Sequence, residues 1–191
     1  MRISAGKARG TVLNVPPGLF VRPTAGRARQ SLFDSLGDLS NLTVLDLCAG
    51  SGGLGLEAAS RNAASVIFVE SSAKSICALN ENIEKVQHAG IESKLKIMKT
   101  DMLKPSSFTT GPGPDIIFCD PPYEQSAEYF STLTVNKGFA LWAKNALLIW
   151  ELPQWKKGIQ FAQTGFWETQ KIRNFGGIEF LFLKASFPEE L

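Results

Sequence analysis

The chain has 191 residues, 44% of them hydrophobic and 20% charged, with a formal net charge of +2; that suits one compact domain with an appendage and is short for two complete domains. No stretch approaches the roughly 20 apolar residues of a membrane helix, and Met1 to Lys7 form no signal-peptide apolar core, so a globular protein of the cytoplasm is expected. Cys48, Cys77 and Cys119 show no paired spacing and read as small core residues in a reducing compartment, and with His88 as its one histidine the chain has no zinc-ligand set and no His-assisted nucleophile.

The first segment, Ile3 to Val15, alternates apolar and polar residues around Gly10 and predicts a folded hairpin. Beyond it, Arg22-Pro23-Thr24 opens a second element, in which Thr24 is the expected N-cap of a helix that turns Leu32, Phe33 and Leu36 inward. Residues 1–30 hold six of the 20 basic residues (Arg2, Lys7, Arg9, Arg22, Arg27 and Arg29) and none of the 18 acidic ones, which leaves the rest of the chain net negative. Such asymmetry is the footprint of a phosphate-contacting arm on a nearly neutral body; a solvated basic face would read the same from charge alone.

The next run, Val44-Leu45-Asp46-Leu47-Cys48, leads into Ala49-Gly50-Ser51-Gly52-Gly53-Leu54-Gly55 and then a helical pattern. Gly50, Gly52 and Gly55 fit G-x-G-x-x-G, and Glu70 closes the following apolar run, Val66 to Val69, at the spacing of a nucleotide fold. A ligand carrying an adenosine ribose is expected, with Glu70 accepting from its hydroxyls. NAD, FAD and S-adenosylmethionine share this signal, as does a bare strand-to-helix turn. Asp46 favours a ligand with an ammonium and a sulfonium, since a carboxylate there repels a pyrophosphate.

Strands are predicted near 43–48, 65–69, 94–99, 115–119, 146–151, 159–164 and 178–184, with helices near 54–61, 72–87 and 126–142. The alternation implies an α/β fold with a doubly wound, mostly parallel sheet. In the second of these helices Ile76, Leu79, Ile83 and Val86 share a core-facing side. Asp101, just past the third strand, falls at the carboxyl end of the sheet where ligands bind, with a loop cap as its rival role. Ser106 to Pro114 is a loop. Trp142, Trp150, Trp155 and Trp167 read as packing residues, and Lys171 and Arg173 as an outlying extension of the basic surface.

Asp120-Pro121-Pro122-Tyr123 follows the apolar run Asp115 to Cys119, so an acid, two rigid prolines and an aromatic stand where a buried strand ends. Each proline fixes φ and lacks an N–H, which holds the turn's shape and leaves its carbonyls as acceptors. Asp120 and the Pro121 carbonyl can take the two N–H groups of a nucleobase amine and aim its lone pair at an electrophile, while Tyr123 offers a stacking face. The bland alternative is an ordinary Pro-Pro turn beside a core tyrosine.

Taken with Ile3 to Gly10, Arg22-Pro23-Thr24 followed by Arg27, Arg29, Leu32 and Phe33, Asp46 to Glu57, and Asp120 to Tyr123, the chain resembles the RsmD-type methyltransferases over nearly its whole length. These transfer methyl from S-adenosylmethionine to the 2-amino group of a guanine in 16S ribosomal RNA. Ser4, Ala8 and Gly26 depart from the family's usual residues. The resemblance implies a Rossmann-like class I methyltransferase domain at 37–191 and a basic RNA-contacting extension at 1–36. It further implies catalysis at Asp120, Pro121, Pro122 and Tyr123, and cofactor contacts from Asp46, Ala49, Gly50, Ser51, Gly52, Glu70, Ser71, Asp101 (to the adenine amine) and Met102. RNA contacts are expected from Lys7, Arg9, Arg22, Arg27 and Arg29. The implied partner is 16S rRNA or a small-subunit assembly intermediate, met by a monomer. The rivals are a DNA adenine or cytosine amino-methyltransferase, which uses the same turn, and an NAD-dependent oxidoreductase, which leaves the turn and the arm unexplained.

Overall fold

Residues 1–16, 23–152 and 165–187 are described by the computed structural model; the strand expected at 159–164, Arg22 and Trp155 lie outside them. The elements in chain order are α1 (Pro23–Leu36), β1 (Thr43–Leu47), α2 (Gly53–Ser60), β2 (Ser65–Glu70), α3 (Ala73–His88), β3 (Lys94–Lys99), β4 (Ile116–Cys119), α4 (Ser126–Thr134), α5 (Lys137–Trp142), β5 (Leu147–Leu152), β6 (Trp167–Phe175) and β7 (Ile178–Ala185). They build a seven-stranded sheet in the order β3-β2-β1-β4-β5-β7-β6. The first five strands pair in parallel, and β7 joins β5, and β6 joins β7, antiparallel. The expected doubly wound sheet is borne out.

Central strands that are apolar at successive positions feed both faces of such a sheet, because side chains alternate across it. Val44, Val66, Phe68, Ile116 and Phe118 point into one core under α1 to α3, whereas Leu45, Leu47, Ile117, Cys119 and Trp150 point into the other under α4 and α5. The hairpin and α1 belong to the first core: Ile3, Ala8, Leu13, Leu32 and Phe33 are buried there against the sheet and α2. The hairpin and α1 are therefore packed onto the sheet and α2 as an extra layer. The hairpin itself closes through the Arg2–Val12 bridge and hydrogen bonds from Ile3 N–H to the Thr11 carbonyl and from Gly10 N–H to that of Ile3, both 3.0 Å.

Four local expectations need correction. The helix expected to be capped by Thr24 begins one residue earlier, at Pro23, where a proline's missing N–H costs nothing and its φ is already helical. The helix expected over 126–142 is two helices, because the Asn136 side chain accepts the Phe139 N–H at 2.8 Å and starts α5 afresh; the apolar periodicity runs through the break. The polar run Glu168 to Asn174 is the edge strand β6, exposed along most of its length, a position that needs no apolar pattern. Cys77, expected in the core, is exposed on α3.

Candidate active site

The carboxyl ends of β1, β2, β4 and β5 open onto one cavity of about 900 Å³. Its first wall is the glycine turn. Cys48 leaves β1 with φ of 59°, Gly50 follows at 57° and Gly52 at 87°, and this left-handed run turns the chain from strand to helix within a few residues. Gly55 serves packing: a Cβ there would fall 2.3 Å from Phe68 Cε1 and 2.9 Å from Val66 Cγ1, which is how α2 comes to lie directly on the strands. Gly52, expected to touch the cofactor, does not line the cavity; a Cβ on it would meet Leu79 Cδ1 at 2.5 Å.

Two acids brace this turn. Asp46 is buried and accepts the Gly55 N–H at 2.7 Å. Burial pushes its carboxyl up to about 7; the Gly55 bond opposes the shift and Glu70 adds to it. Glu70 takes the Gly50 N–H on Oε2 at 2.7 Å, and the N–H groups of Ser71 and Ser72 on Oε1 at 2.8 and 2.7 Å. A carboxylate has about four lone-pair directions, so Glu70 clamps the loop and still turns one acceptor position on Oε2 outward. Asp101 Oδ1 accepts the Leu103 N–H at 2.9 Å, the loop-cap role, and its side chain lines the cavity as well, as do Ala49, Ser51, Ser71 and Met102.

Beside the glycine turn stands Asp120-Pro121-Pro122-Tyr123, because β4 pairs in parallel with β1 and Cys119 lies across from Leu47, and all four residues line the cavity. Not every carbonyl of the turn is available to a ligand: those of Pro122 and Tyr123 accept the N–H groups of Gln125 and Ser126 and lead into α4. The accessible surface of Asp120 opens into the cavity while protein crowds its flanks. Desolvation there, followed by the charges of Glu151 and Asp46, holds its carboxyl well above the usual carboxylate range. The Tyr123 hydroxyl donates to Glu151 Oε1 at 2.8 Å. Glu151 is a wall residue that sequence reasoning missed. Its signal was present: it follows Leu147 to Trp150 as Asp120 follows Ile116 to Cys119, and parallel pairing of Cys119 with Trp150 brings the two acids to the same sheet edge.

The basic arm divides. Arg9 and Arg27 are exposed, and exposed Lys7 pairs with Glu92 at 3.0 Å. Arg29, expected to meet RNA, is only 7% exposed. Its Nη2 donates to the Arg2 carbonyl at 2.6 Å, its Nε stands 3.6 Å from Glu57 Oε2, and it lines the cavity beside Gly53. Burial drew this arginine inward because Glu57, itself buried on α2, needs a counter-charge.

Comparison with known proteins agrees with this layout. The ribosomal RNA small subunit methyltransferase D of Buchnera aphidicola (strain APS) is 36% identical over 124 residues, 64% of this chain and 63% of its own length. The protein of that name in Escherichia coli K12 is 34% identical over 128 residues, 65% of this chain and 61% of its own. The matched region thus spans less than two thirds of these relatives. Among solved structures, Escherichia coli yhhF, named as a candidate methyltransferase, superposes with a TM-score of 0.71 at 27% identity, covering 97% of this chain and 98% of that one. A Lactobacillus delbrueckii ribosomal protein L11 methylase, at 20% identity and TM-score 0.66 over 94% and 88% of the two chains, shares the fold. The resemblance to the RsmD-type family is borne out. The model of the family described as Conserved hypothetical protein 95 matches residues 1–184, and the chain belongs to that family.

Proposed function

We propose that the protein is an S-adenosylmethionine-dependent methyltransferase acting on the exocyclic 2-amino group of a guanine in small-subunit rRNA, free or within an assembly intermediate, in the cytoplasm. The observation that carries this reading is that Asp120 and Tyr123 line one cavity with the glycine turn and Glu70. A methyl donor and a nucleobase amine can meet there.

The charges of the cavity fit that cofactor. Five acids, Asp46, Glu70, Asp101, Asp120 and Glu151, stand on its walls against Arg29 and Lys74; burial favours the neutral form of Asp46 and Asp120, and the acidic lining that is left still suits an ammonium and a sulfonium better than a pyrophosphate. Asp46, Glu70 and Asp101 would hold it, together with the backbone of the glycine turn. When bound, S-adenosylmethionine supplies a methyl carbon made electrophilic by its positive sulfur.

The chain's own residues supply positioning. Asp120 accepts an N–H of the amine and directs the nitrogen lone pair along the cavity. Its raised carboxyl pKa is drawn back down by that bond, because a hydrogen bond to the charged form favours it. The same carboxylate can then hold the proton that the amine sheds. Tyr123 stacks on the base, its ring restrained through the hydroxyl bond to Glu151.

The test is transfer of labelled methyl groups to unmethylated small-subunit rRNA, to assembled small-subunit particles and to duplex DNA, alongside thermal shift with S-adenosylhomocysteine or NAD. Stabilisation by S-adenosylhomocysteine alone and label recovered as N2-methylguanosine are expected. Stabilisation by NAD alone, or label in DNA alone, overturns the reading.

A further inference from the structure

Asp120 orients an amine, yet amines of guanine, adenine and cytosine would all satisfy it, so selection among the three bases needs another group. Cys119 of β4 and Trp150 of β5 are register partners in a parallel pair. The residue that follows each, Asp120 and Glu151, emerges at the same edge of the sheet, and both line the cavity. Of the two acidic influences on Asp120, Glu151 is the larger. Glu151 is also fixed in place, because its Oε1 accepts the Tyr123 hydroxyl at 2.8 Å. A base stacked on Tyr123 with its amine at Asp120 therefore turns the neighbouring ring position toward Glu151.

That ring position differs among the bases. Beside its 2-amino group guanine carries N1–H, a donor, on one side and a bare N3 on the other, and the proposal places the N1 side at Glu151. Adenine beside its 6-amino group and cytosine beside its 4-amino group carry a ring nitrogen with a bare lone pair. A carboxylate accepts from the first and repels the other two, since an ionised carboxyl has no hydrogen to give. The geometry points to Glu151 as the residue that selects guanine, by accepting its N1–H while Asp120 takes the 2-amino group. The inference rests on the proposed methyltransferase reading and adds to it the recognition of the base. It also gives a physical reason for the same four-residue turn to serve different bases in different proteins: the acceptor on the adjoining strand decides.

The experiment uses the full chain and small-subunit rRNA assembled by ligation, with guanine, 2-aminopurine or inosine at the position that the wild-type protein methylates. 2-Aminopurine keeps the 2-amino group but presents a bare N1, and inosine keeps N1–H but has no amine. Single-turnover transfer by the wild type should favour guanine over 2-aminopurine by at least about 100-fold, as buried polar groups built for a donor reject an analogue lacking it. Inosine should accept nothing. Glu151→Gln, which can still accept the Tyr123 hydroxyl, should lose guanine transfer and bring the two substrates to within about 10-fold of each other, with S-adenosylhomocysteine affinity changed by no more than a few fold. Tyr123→Phe, which frees Glu151 from that bond, should slow guanine transfer by roughly 10-fold and keep most of the preference over 2-aminopurine. Equal use of guanine and 2-aminopurine by the wild type, or unchanged selectivity in Glu151→Gln, overturns the proposal while leaving guanine methylation standing. Loss of selectivity in Tyr123→Phe equal to that in Glu151→Gln reduces Glu151 to a support for the ring and overturns it also. Label found in adenine or cytosine overturns both the proposal and the reading beneath it.

Discussion

Arg29 on α1 and Glu57 on α2 form a buried charge pair, Nε to Oε2 at 3.6 Å, that joins the N-terminal layer to the helix rising from the glycine turn. Glu57 is the hub. It also accepts the Ser4 N–H at 2.9 Å, the Ser4 hydroxyl, the Ala5 N–H at 3.2 Å and Arg61 Nε at 3.0 Å. Removing one partner of such a cluster leaves the others buried without compensation, so Glu57→Ala should destabilise the protein by about 3–5 kcal/mol. Chemical denaturation would measure it. A loss below about 1 kcal/mol would show that the hairpin is held by its apolar packing and its bonds to Ser60 and Asn82 rather than by Glu57.

The division within the arm predicts opposite phenotypes for its arginines. Replacing exposed Arg9 and Arg27 with Gln should weaken rRNA binding and lower the slope of log affinity against log salt by about 2, with unfolding unaffected. Arg29→Gln should instead lower the melting temperature. Affinity across a salt series, with duplex DNA as competitor, separates the two effects. An unchanged slope for the Arg9 and Arg27 double variant would make the arm a structural face.

Asp120→Ala should abolish methyl transfer while S-adenosylmethionine affinity stays within a few fold, because in the proposed reading Asp120 holds the acceptor amine and not the cofactor. Tyr123→Phe should keep the stacking face and lose the bond to Glu151, a deficit of about 1–2 kcal/mol, or roughly 10-fold in rate. Single-turnover transfer decides both; a wild-type rate in Asp120→Ala would remove the amine-orienting role.

Glu70→Ala should weaken S-adenosylmethionine binding twice over. It deletes an acceptor for the ribose, worth about 1.5–3 kcal/mol, and it unclamps the Gly50, Ser71 and Ser72 N–H groups. Against a wild-type affinity near micromolar, about −8 kcal/mol, calorimetry should see binding fall by at least about 10-fold. Undiminished affinity would place the ribose elsewhere.

The raised carboxyl of Asp46 carries a pH signature. With an ordinary value near 4 in the unfolded chain and about 7 in the folded one, the folded state alone keeps the proton between those limits. Folding stability from this residue is therefore fully present below about pH 4 and is lost as pH rises toward about pH 7, by a few kcal/mol at most. Asp46→Asn, which can still accept the Gly55 N–H, should flatten that decline and gain stability over the wild type near about pH 8. Denaturant unfolding at several pH values checks it; parallel curves for the two proteins would refute it.

Much of this molecule was legible in its sequence, because the determinants were local. Apolar runs placed β1, β2, β4, β5 and β7, the period-two pattern of Lys94 to Lys99 placed β3, glycines at fixed spacing marked the left-handed turn that leaves β1, and the acids behind the runs of β2 and β4 marked a sheet edge. Three things were decided only by the tertiary structure. The break between α4 and α5 turned on Asn136 capping a new helix inside an unbroken apolar period. The inward turn of Arg29 depended on the buried Glu57, 28 positions further along the chain, to which nothing in the basic segment points. The pairing of Asp120 with Glu151 required the parallel register of β4 and β5, since residues 31 positions apart become neighbours only when two strands end together. Sequence determines what a segment can become; which charges share a wall is set by the strand order, a property of the whole sheet.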